Sequence, residues 1–258
     1  MKRIFTPNAI IDKSTMRILI AAQIALIVFV WIFSPSALLP KPGEVFGALT
    51  DLWEQGLGAE LITSFYLNVQ SIILATIISL ALSYATVLPF FRPIVGFIGK
   101  VRFLSPAGIT LIFTMIATGS HELKVSLLVF FITVFFITSM VDVMGTIPKE
   151  QFDLARTLHM SEWRVVWEVI ILGQFDKVFD VIRQNAAMAF MMLTMVEGIA
   201  RGGGGIGEVL LDQNKHFRIE AVFAIQLVIL CVGIGQDFAI GVMKKFFCPY
   251  AFLTVEAR

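Results

Sequence analysis

The chain has 258 residues, of which 57% are apolar and only 15% are charged, and its formal net charge is +1. A soluble domain is about 45–50% apolar and about 25% charged, and the apolar residues here lie in long uncharged runs, so the composition excludes a soluble globular protein. The near-neutral charge and the lack of a basic stripe argue against nucleic-acid binding. The chain has two cysteines, Cys231 and Cys248, which form no close pair, so neither a disulfide scaffold nor a zinc site is indicated. The sequence therefore predicts an integral membrane protein.

Six uncharged runs predict six transmembrane helices, because a helix needs about 20 mostly apolar residues to cross the hydrocarbon of a bilayer. The runs are Ile18–Pro40, Leu61–Phe91, Phe103–Ser120, Val125–Val141, Gln184–Val196 and Ala221–Gln236. The fifth run is short and needs residues near Arg183 or Glu197 to complete a crossing.

Lysine and arginine are unevenly divided between the two sides that six crossings define. Fifteen of the twenty lie on the side of the termini, and an excess of these residues marks the cytoplasmic side. We therefore expect a cytoplasmic segment at 1–17, a transmembrane domain at 18–243 and a cytoplasmic tail at 244–258. The alternative is a signal peptide ending near Ser34–Ala37. Its removal would leave five crossings, which do not explain why the basic start and the basic tail share a side.

A short amphipathic helix is predicted after the first crossing. Pro42 suits a first helical position, and Val45, Leu49, Leu52 and Trp53 recur on one face. Two placements stay open: the helix lies on the outer membrane surface with Trp53 at the headgroups, or it re-enters or caps the bundle.

The loop 142–183, between the fourth and fifth crossings, holds twelve of the thirty-nine charged side chains. Pro148 and the helix formers that follow it predict one helix, and Ser161 with Glu162 predicts the start of a second helix. The two helices, residues 148–170, are called the elbow below. The elbow is expected to expose Asp153 and Arg156 to the cytoplasm. We interpret it as a docking surface, with a solvated connector as the alternative.

Polar residues in or beside the crossings are candidates for a translocation pathway or a gate. Glu197 and Arg201 lie one turn apart at the outer end of the fifth crossing, and we expect them to form an ion pair. Alternatively, Arg201 and the following glycine loop, Gly202–Gly205, bind an anionic substrate through backbone N–H groups. The glycine loop is otherwise interpreted as a flexible turn.

Further polar candidates lie in the second and sixth crossings. Asn68 and Gln70 are candidate pathway residues, although such residues also join helices to one another. Asp237 is expected to pair with Lys244 or Lys245.

The elbow resembles the cytoplasmic "EAA" loop of permease subunits of bacterial ATP-binding-cassette importers. The segment Asp153-Leu154-Ala155-Arg156-Thr157-Leu158-His159 is similar to the E-A-A-R-T-L-G form of that loop. The resemblance points to the nitrate, sulfonate, taurine and bicarbonate branch, whose proline-rich segment after the first crossing is similar to Leu39–Val45. An acidic residue that ends the fifth crossing and a following G-x-G are matched by Glu197 and Gly205-Ile206-Gly207. The similarity covers residues 35–250.

The elbow departs from the motif at three positions. Asp153, Leu154 and His159 stand where the family has glutamate, alanine and glycine. The glycine permits a positive φ, a conformation that is uncommon for histidine.

The resemblance implies an all-α permease of a type I importer, with a coupling helix that docks a cytoplasmic ATPase. The docking residues carried over from it are Phe152, Asp153, Ala155, Arg156, Leu158 and His159. Two ATPase subunits, a second permease subunit in a homodimer and an extracytoplasmic substrate-binding protein are implied as partners. ATP and Mg²⁺ would be bound by the ATPase, and neither a cofactor, a metal site nor a catalytic residue is expected in this chain. The implied location is the bacterial inner membrane, and the implied solute is a small inorganic or organic anion.

Two other classes of membrane protein remain as alternatives. An ATP-independent secondary transporter would be expected to carry ion-coupling acids within its crossings. This class gives the charged elbow no function. A membrane-embedded enzyme would be expected to gather catalytic groups, whereas His121, His159 and His216 are scattered over different loops.

Overall fold

The computed structural model describes residues 12–33 and 39–252, and within these ranges the chain forms helices and no strands. The α-helices are α1 (Lys13–Ile32), α2 (Pro42–Glu54), α3 (Leu57–Ala85), α4 (Arg92–Val101), α5 (Pro106–Ile116), α6 (Ser120–Gly145), α7 (Lys149–Thr157), α8 (Glu162–Val165), α9 (Phe175–Ile199), α10 (Ile206–Lys215) and α11 (Ile219–Phe247). A π-helical segment, Val166–Leu172, continues α8, and a short 3₁₀ turn, Pro249–Phe252, follows α11.

Four of the described helices are long and apolar enough to cross a membrane. They are α1 from Ser14 onward, α3, α6 and α11, and they correspond to the first, second, fourth and sixth predicted crossings. Helices α3 and α11 have 29 residues each, about 44 Å at a rise of 1.5 Å per residue. Each is longer than the hydrocarbon thickness of about 30 Å, so a tilt or an extension into the headgroup region accommodates it.

The third and fifth predicted crossings differ from the four long apolar helices. Phe103–Ser120 contains α5, whose 11 residues extend about 16 Å, and ends at the first residue of α6. Pro106 begins α5, and the extended backbone at Ala117 ends it. Helix α9 has 25 residues, which is long enough, but four charged side chains lie in its first three turns. Six crossings therefore stay a prediction.

The centre of the bundle is the contact between α3, α6 and α9. Its buried cluster includes Leu67 and Ala75 of α3, Leu127 of α6, and Ala189 and Leu193 of α9. Ala75 and Ala189 have no exposed surface, and small residues at such positions let helix backbones approach closely.

Helix α2 packs on the bundle. Val45, Ala48 and Leu52 are buried in one cluster with residues of α11 and with Ile206 of α10, whereas Trp53 is exposed. Of the two placements left open by the sequence, this contact favours the helix that caps the bundle.

Several sequence-based expectations lie wholly or partly outside the described residues. They are the segment 1–17 before residue 12, the possible signal-peptide end at Ser34–Ala37, and the tail beyond residue 252. The domain boundaries 18–243 and 244–258 stay predictions.

Replacing Ala189 by leucine should destabilise the bundle, because extra methylene groups at a packed site cost about 1–3 kcal/mol. Ala187, on the same helix, is exposed, so Ala187→Leu serves as the matched control. We expect Ala189→Leu to lower the Tm of the detergent-purified protein and Ala187→Leu to leave it nearly unchanged. Equal effects of the two substitutions would contradict the packing described for α9.

Candidate functional site

The elbow consists of two short helices, as the sequence predicts. Pro148 precedes α7 with extended backbone (φ −63°, ψ 142°), and Ser161 precedes α8 in the same way (φ −65°, ψ 152°). The side chain of Ser161 makes no capping hydrogen bond, so the expected cap is correct in position only. The second helix changes to π-helical geometry at Val166.

His159 turns the chain between the two helices by adopting a left-handed conformation, with φ of 55°. The His159 N–H donates to the Arg156 carbonyl at 2.9 Å, and the Met160 N–H donates to the Ala155 carbonyl at 3.2 Å. These two bonds form a Schellman motif, in which glycine is the usual left-handed residue. Histidine therefore occupies the conformation that the glycine of the resembled motif would adopt.

The residues predicted to dock a partner divide into exposed and buried groups. Asp153, Arg156, Leu158 and His159 are exposed, Phe152 is half-buried, and Ala155 is only 5% exposed. Ala155 therefore packs within the chain itself and offers no surface to a partner.

Leu154, which the sequence did not place in the docking set, is 63% exposed, and Leu158 is 62% exposed. Trp163 on the following helix is also exposed. Together these side chains give the elbow an apolar outer surface.

Arg156 joins the two helices of the elbow electrostatically. Its Nε lies 3.3 Å from Glu162 Oε1, and its Nη1 lies 3.9 Å from Asp153 Oδ1. All three side chains are more than half exposed, so these pairs contribute little stability. The two ion pairs orient the guanidinium group of Arg156, which remains exposed.

Glu197 lies at the opposite end of the bundle and is completely buried. Ser64 of α3 donates to its Oε1 at 2.6 Å, and the Gly207 N–H of α10 donates to its Oε2 at 2.8 Å. Ser64 in turn accepts a hydrogen bond from the Ile206 N–H at 2.8 Å. The carboxylate thus ties α9 to α3 and to the start of α10.

Side chains of α3 and α6 fix the glycine loop, whose four residues all have positive φ. Lys124, only 2% exposed, donates to the Gly204 carbonyl at 2.6 Å. Ser120 donates to the Gly202 carbonyl, and Glu60 accepts from the Gly205 N–H. A Cβ at Gly205 would collide with the carboxylate of Glu197.

Two expectations for this end of the bundle are therefore corrected. Glu197 accepts its hydrogen bonds from Ser64 and Gly207, and Arg201 is exposed, so the expected Glu197–Arg201 ion pair is not the interaction that holds Glu197. The glycine loop does present N–H groups to anions, but these are carboxylates of the protein itself, Glu60 and Glu208. These hydrogen bonds hold the glycine loop in place, whereas the sequence had favoured a flexible turn.

Asn68 and Gln70 do not share one face. Asn68 is fully buried, and its Nδ2 donates to Gln236 Oε1 of α11 at 2.8 Å. Gln70 lines a separate cavity of about 330 Å³ beside His121 and Glu122. Their side-chain oxygens, Asn68 Oδ1 and Gln70 Oε1, are buried and lack a hydrogen-bond partner within the described part of the chain.

Two ion pairs connect α9 to α11 near the elbow end. Arg183 makes a two-pronged contact with Asp237, and Lys244 Nζ lies 2.6 Å from Asp180 Oδ1. Asp237 was expected to pair with Lys244 or Lys245; instead Arg183 contacts both of its carboxylate oxygens, and Lys244 pairs with Asp180. The Arg183–Asp237 pair borders a cavity of about 470 Å³ between the two helices. Its other walls include Phe190, Met191, Thr194, Gln226 and Gln236.

Sequence reasoning missed the partners of Glu197. None of Glu60, Ser64 and Lys124 is a candidate site residue in the sequence analysis. One feature of the sequence could have indicated these partners. Glu60 and Lys124 lie beside predicted crossings, on the same predicted outer side of the membrane as Glu197. That proximity alone does not reveal which side chains turn inward. Among the described residues, no group of three His, Cys, Asp or Glu side chains is arranged to hold a metal ion.

Comparison with known proteins shows a similarity of fold. No model of a protein family matches the sequence, and no characterised protein matches it. A chain from the crystal structure of an amino acid ABC transporter with histidines is similar to this chain with a TM-score of 0.61. The sequences are 12% identical, and the similarity covers 77% of this chain and 95% of that chain. The chain therefore has a fold found in an ABC transporter.

Replacing His159 by glycine should stabilise the elbow, because a side chain in the left-handed conformation costs about 1–2 kcal/mol. His159→Val should have the opposite effect, since a β-branched residue tolerates positive φ poorly. Hydrogen exchange of the amides of residues 155–162 should be slower in His159→Gly and faster in His159→Val than in the wild type. Unchanged exchange in both variants would contradict the role given to this residue.

Removing the carboxylate of Glu197 should destabilise the protein strongly, since each buried donor left unpaired costs about 1–3 kcal/mol. We expect Glu197→Ala to lower the Tm of the purified protein well below that of Arg201→Ala, whose side chain is exposed. If Arg201→Ala lowered the Tm as much as Glu197→Ala, the ion pair expected from the sequence would be the better description.

Proposed function

We propose that the chain is the transmembrane permease subunit of an ATP-driven importer in the bacterial inner membrane, with both termini in the cytoplasm. The observation that supports this most is the fold similarity to a chain of an amino acid ABC transporter, which extends over 95% of that chain. The four long apolar helices and the exposed elbow agree with such a role. The uneven distribution of Lys and Arg supports the orientation.

In this proposal α7 is a coupling helix that docks a cytoplasmic ATPase. The ATPase binds ATP and Mg²⁺ and hydrolyses the nucleotide. Leu154 and Leu158 supply apolar contact area, and Asp153 and Arg156 supply charged contacts around it. Interfaces of this kind combine an apolar centre with a polar rim.

Movement of the elbow would reach the other end of the protein through α6 and α9. The elbow lies between these two helices in the chain. Their far ends carry Lys124, which holds the glycine loop, and Glu197, which holds the start of α10. Packed helices shift as rigid elements, so a push on α7 is transmitted to the region of the glycine loop. A second permease subunit in a homodimer would complete the pathway.

The proposed solute is a small inorganic or organic anion, delivered by an extracytoplasmic binding protein. The support for this class is the resemblance to nitrate, sulfonate, taurine and bicarbonate permeases. The cavity between α9 and α11, about 470 Å³ with mixed apolar and amide walls, has the size of a small-molecule site.

The decisive experiment purifies the chain from its native membranes and identifies its partners by mass spectrometry. We expect an ATP-binding subunit to copurify, and uptake of radiolabelled anions into proteoliposomes to require that subunit and ATP. Uptake by the purified chain alone, driven by an ion gradient, would contradict the proposal and favour a secondary transporter.

Exchanging the charges of Asp153 and Arg156 should weaken ATPase binding while leaving an ion pair between these two positions. We expect the double variant Asp153→Arg/Arg156→Asp to bind the ATPase about tenfold less tightly or worse, because like charges facing each other at an interface cost several kcal/mol.

The matched control is Arg218→Glu/Glu220→Arg, which exchanges a partly exposed pair 3.9 Å apart near the other end of the bundle. Microscale thermophoresis with the labelled ATPase should give wild-type affinity for this control. Normal affinity and normal ATP-dependent uptake in the Asp153/Arg156 variant would reject the docking surface.

A further inference from the structure

A groove of about 580 Å³ lies between the elbow, α4 and the adjacent ends of α3 and α6. We call it the elbow groove. Its walls are mainly apolar and include Val95, Val141, Met144, Val166 and Ile170. Its polar residues include Thr86, Arg92, Arg156 and Glu162. A long apolar surface with guanidinium groups beside it matches an amphiphile with an anionic head.

Helix α4 forms one wall of the elbow groove and is amphipathic. Val95 is buried, and Gly99 faces Thr138 of α6, since a Cβ there would lie 3.5 Å from Thr138 Oγ1. The other side of the helix exposes Ile94 and Phe97, which is 68% exposed. An amphipathic helix with basic residues and exposed aromatic residues is typical of a membrane surface.

The region around α4 is basic. Arg92 and Lys100 lie on α4, and Arg102 directly follows it. Exposed Phe90 and Phe103 flank the helix. Apolar side chains can enter the acyl region while nearby cations remain at the depth of the lipid phosphates.

Among the charged side chains that line the elbow groove, Arg92 and Arg156 are basic and Glu162 is acidic. Asp153, outside the lining, also lies 3.9 Å from Arg156 Nη1, so in the described part of the chain the groove cation without a carboxylate partner is Arg92. The Arg92 Nε donates to the Thr86 carbonyl at 3.1 Å, which orients the guanidinium and uses one of its five N–H donors. The Arg156 Nε is engaged by Glu162. Guanidinium groups bind phosphate oxygens well because several N–H donors point in fixed directions.

We propose that the elbow groove binds an anionic phospholipid of the cytoplasmic leaflet. The headgroup phosphate lies against Arg92, with Arg156 beside it, and the acyl chains lie along the apolar wall formed by Val95, Val141 and Met144. Basic pockets between helices on the cytoplasmic side of membrane proteins are suited to such headgroups. The inference rests on the membrane placement and orientation given under the proposed function.

The consequence concerns the elbow itself. Arg156 contributes both to the elbow groove and to the exposed docking surface, and Phe152 on the same helix also lines the groove. A lipid seated there contacts α7 from the membrane side while the ATPase contacts it from the cytoplasm. Anionic lipid is therefore expected to set the orientation of the coupling helix and the efficiency of transport.

Native mass spectrometry of the detergent-purified chain tests lipid binding without any ATPase, so its outcome is independent of the docking proposal. Titration with dioleoyl phosphatidylglycerol should show one tight site, and dioleoyl phosphatidylcholine should bind weakly at that site. Inorganic phosphate at millimolar concentration should not displace the phosphatidylglycerol. Equal binding of the two lipids, or displacement by phosphate, would overturn the proposal.

Two variants locate the lipid. Arg92→Gln should lower the affinity for phosphatidylglycerol about fivefold, as expected for one basic residue near an anionic surface. Gly96→Leu should also lower it, because Gly96 lines the groove and a Cβ there meets no atom within 4 Å. The leucine therefore fills the groove without straining the helix.

The matched controls are Arg164→Gln and Gly47→Leu. Arg164 is an exposed arginine of the elbow that does not line the groove, and Gly47 is a helical glycine of α2 with open space around it. Both controls should keep wild-type affinity for phosphatidylglycerol. If Arg164→Gln weakened binding as much as Arg92→Gln, or if Gly96→Leu bound normally, the elbow groove would not be the site.

Discussion

Buried backbone N–H and C=O groups without a helical partner must find hydrogen-bond partners elsewhere in the protein. Between α9 and α10 the chain meets this requirement through the buried carboxylate of Glu197, which accepts from Ser64 and from the Gly207 N–H. Lys124 and Glu60 complete the set at the glycine loop. Because these partners come from α3, α6, α9 and α10, one polar network fixes where four helices meet.

The same helices connect this network to the elbow. Helix α6 runs from Lys124 to the start of the elbow, and α9 runs from the end of the elbow to Glu197. Their contact is tight, with Ala189 and Leu127 fully buried between them. Helices α6 and α9 form a rigid pair. One end of the pair holds the hydrogen-bonded glycine loop, and the other end leads to the exposed amphipathic helix α7. Such a pair is suited to transmitting a displacement. This arrangement is the physical basis for the proposed coupling to an ATPase.

Hydropathy and helix signals predicted the parts of the fold that depend on local sequence. The long apolar helices α3, α6 and α11 coincide with three of the uncharged runs. Pro148 and Ser161 directly precede the two helices of the elbow. The charged first half of α9 and the short α5 were not foreseen, because an uncharged run does not reveal where a helix breaks.

Side-chain partners were predicted less well than helices. Glu197 was correctly singled out, but its partner was expected to be Arg201, one turn away. Ser64 lies 133 positions away in sequence, and a single sequence carries no signal for such a contact. Asp237 was likewise assigned to a nearby lysine, whereas Arg183 reaches it from another helix. Local spacing predicts faces of helices, and tertiary packing decides which charges meet.

The central claim is that the elbow docks an ATPase from the cytoplasmic side while the glycine loop faces outward. Site-directed cysteine chemistry in intact cells tests it directly, in a background where Cys231 and Cys248 are replaced. Leu158→Cys should crosslink to an ATP-binding subunit and resist a membrane-impermeant maleimide added outside, whereas Arg201→Cys should react with it. External labelling of Leu158→Cys, or crosslinking of the ATPase to Arg201→Cys instead, would contradict the assigned orientation and the docking surface.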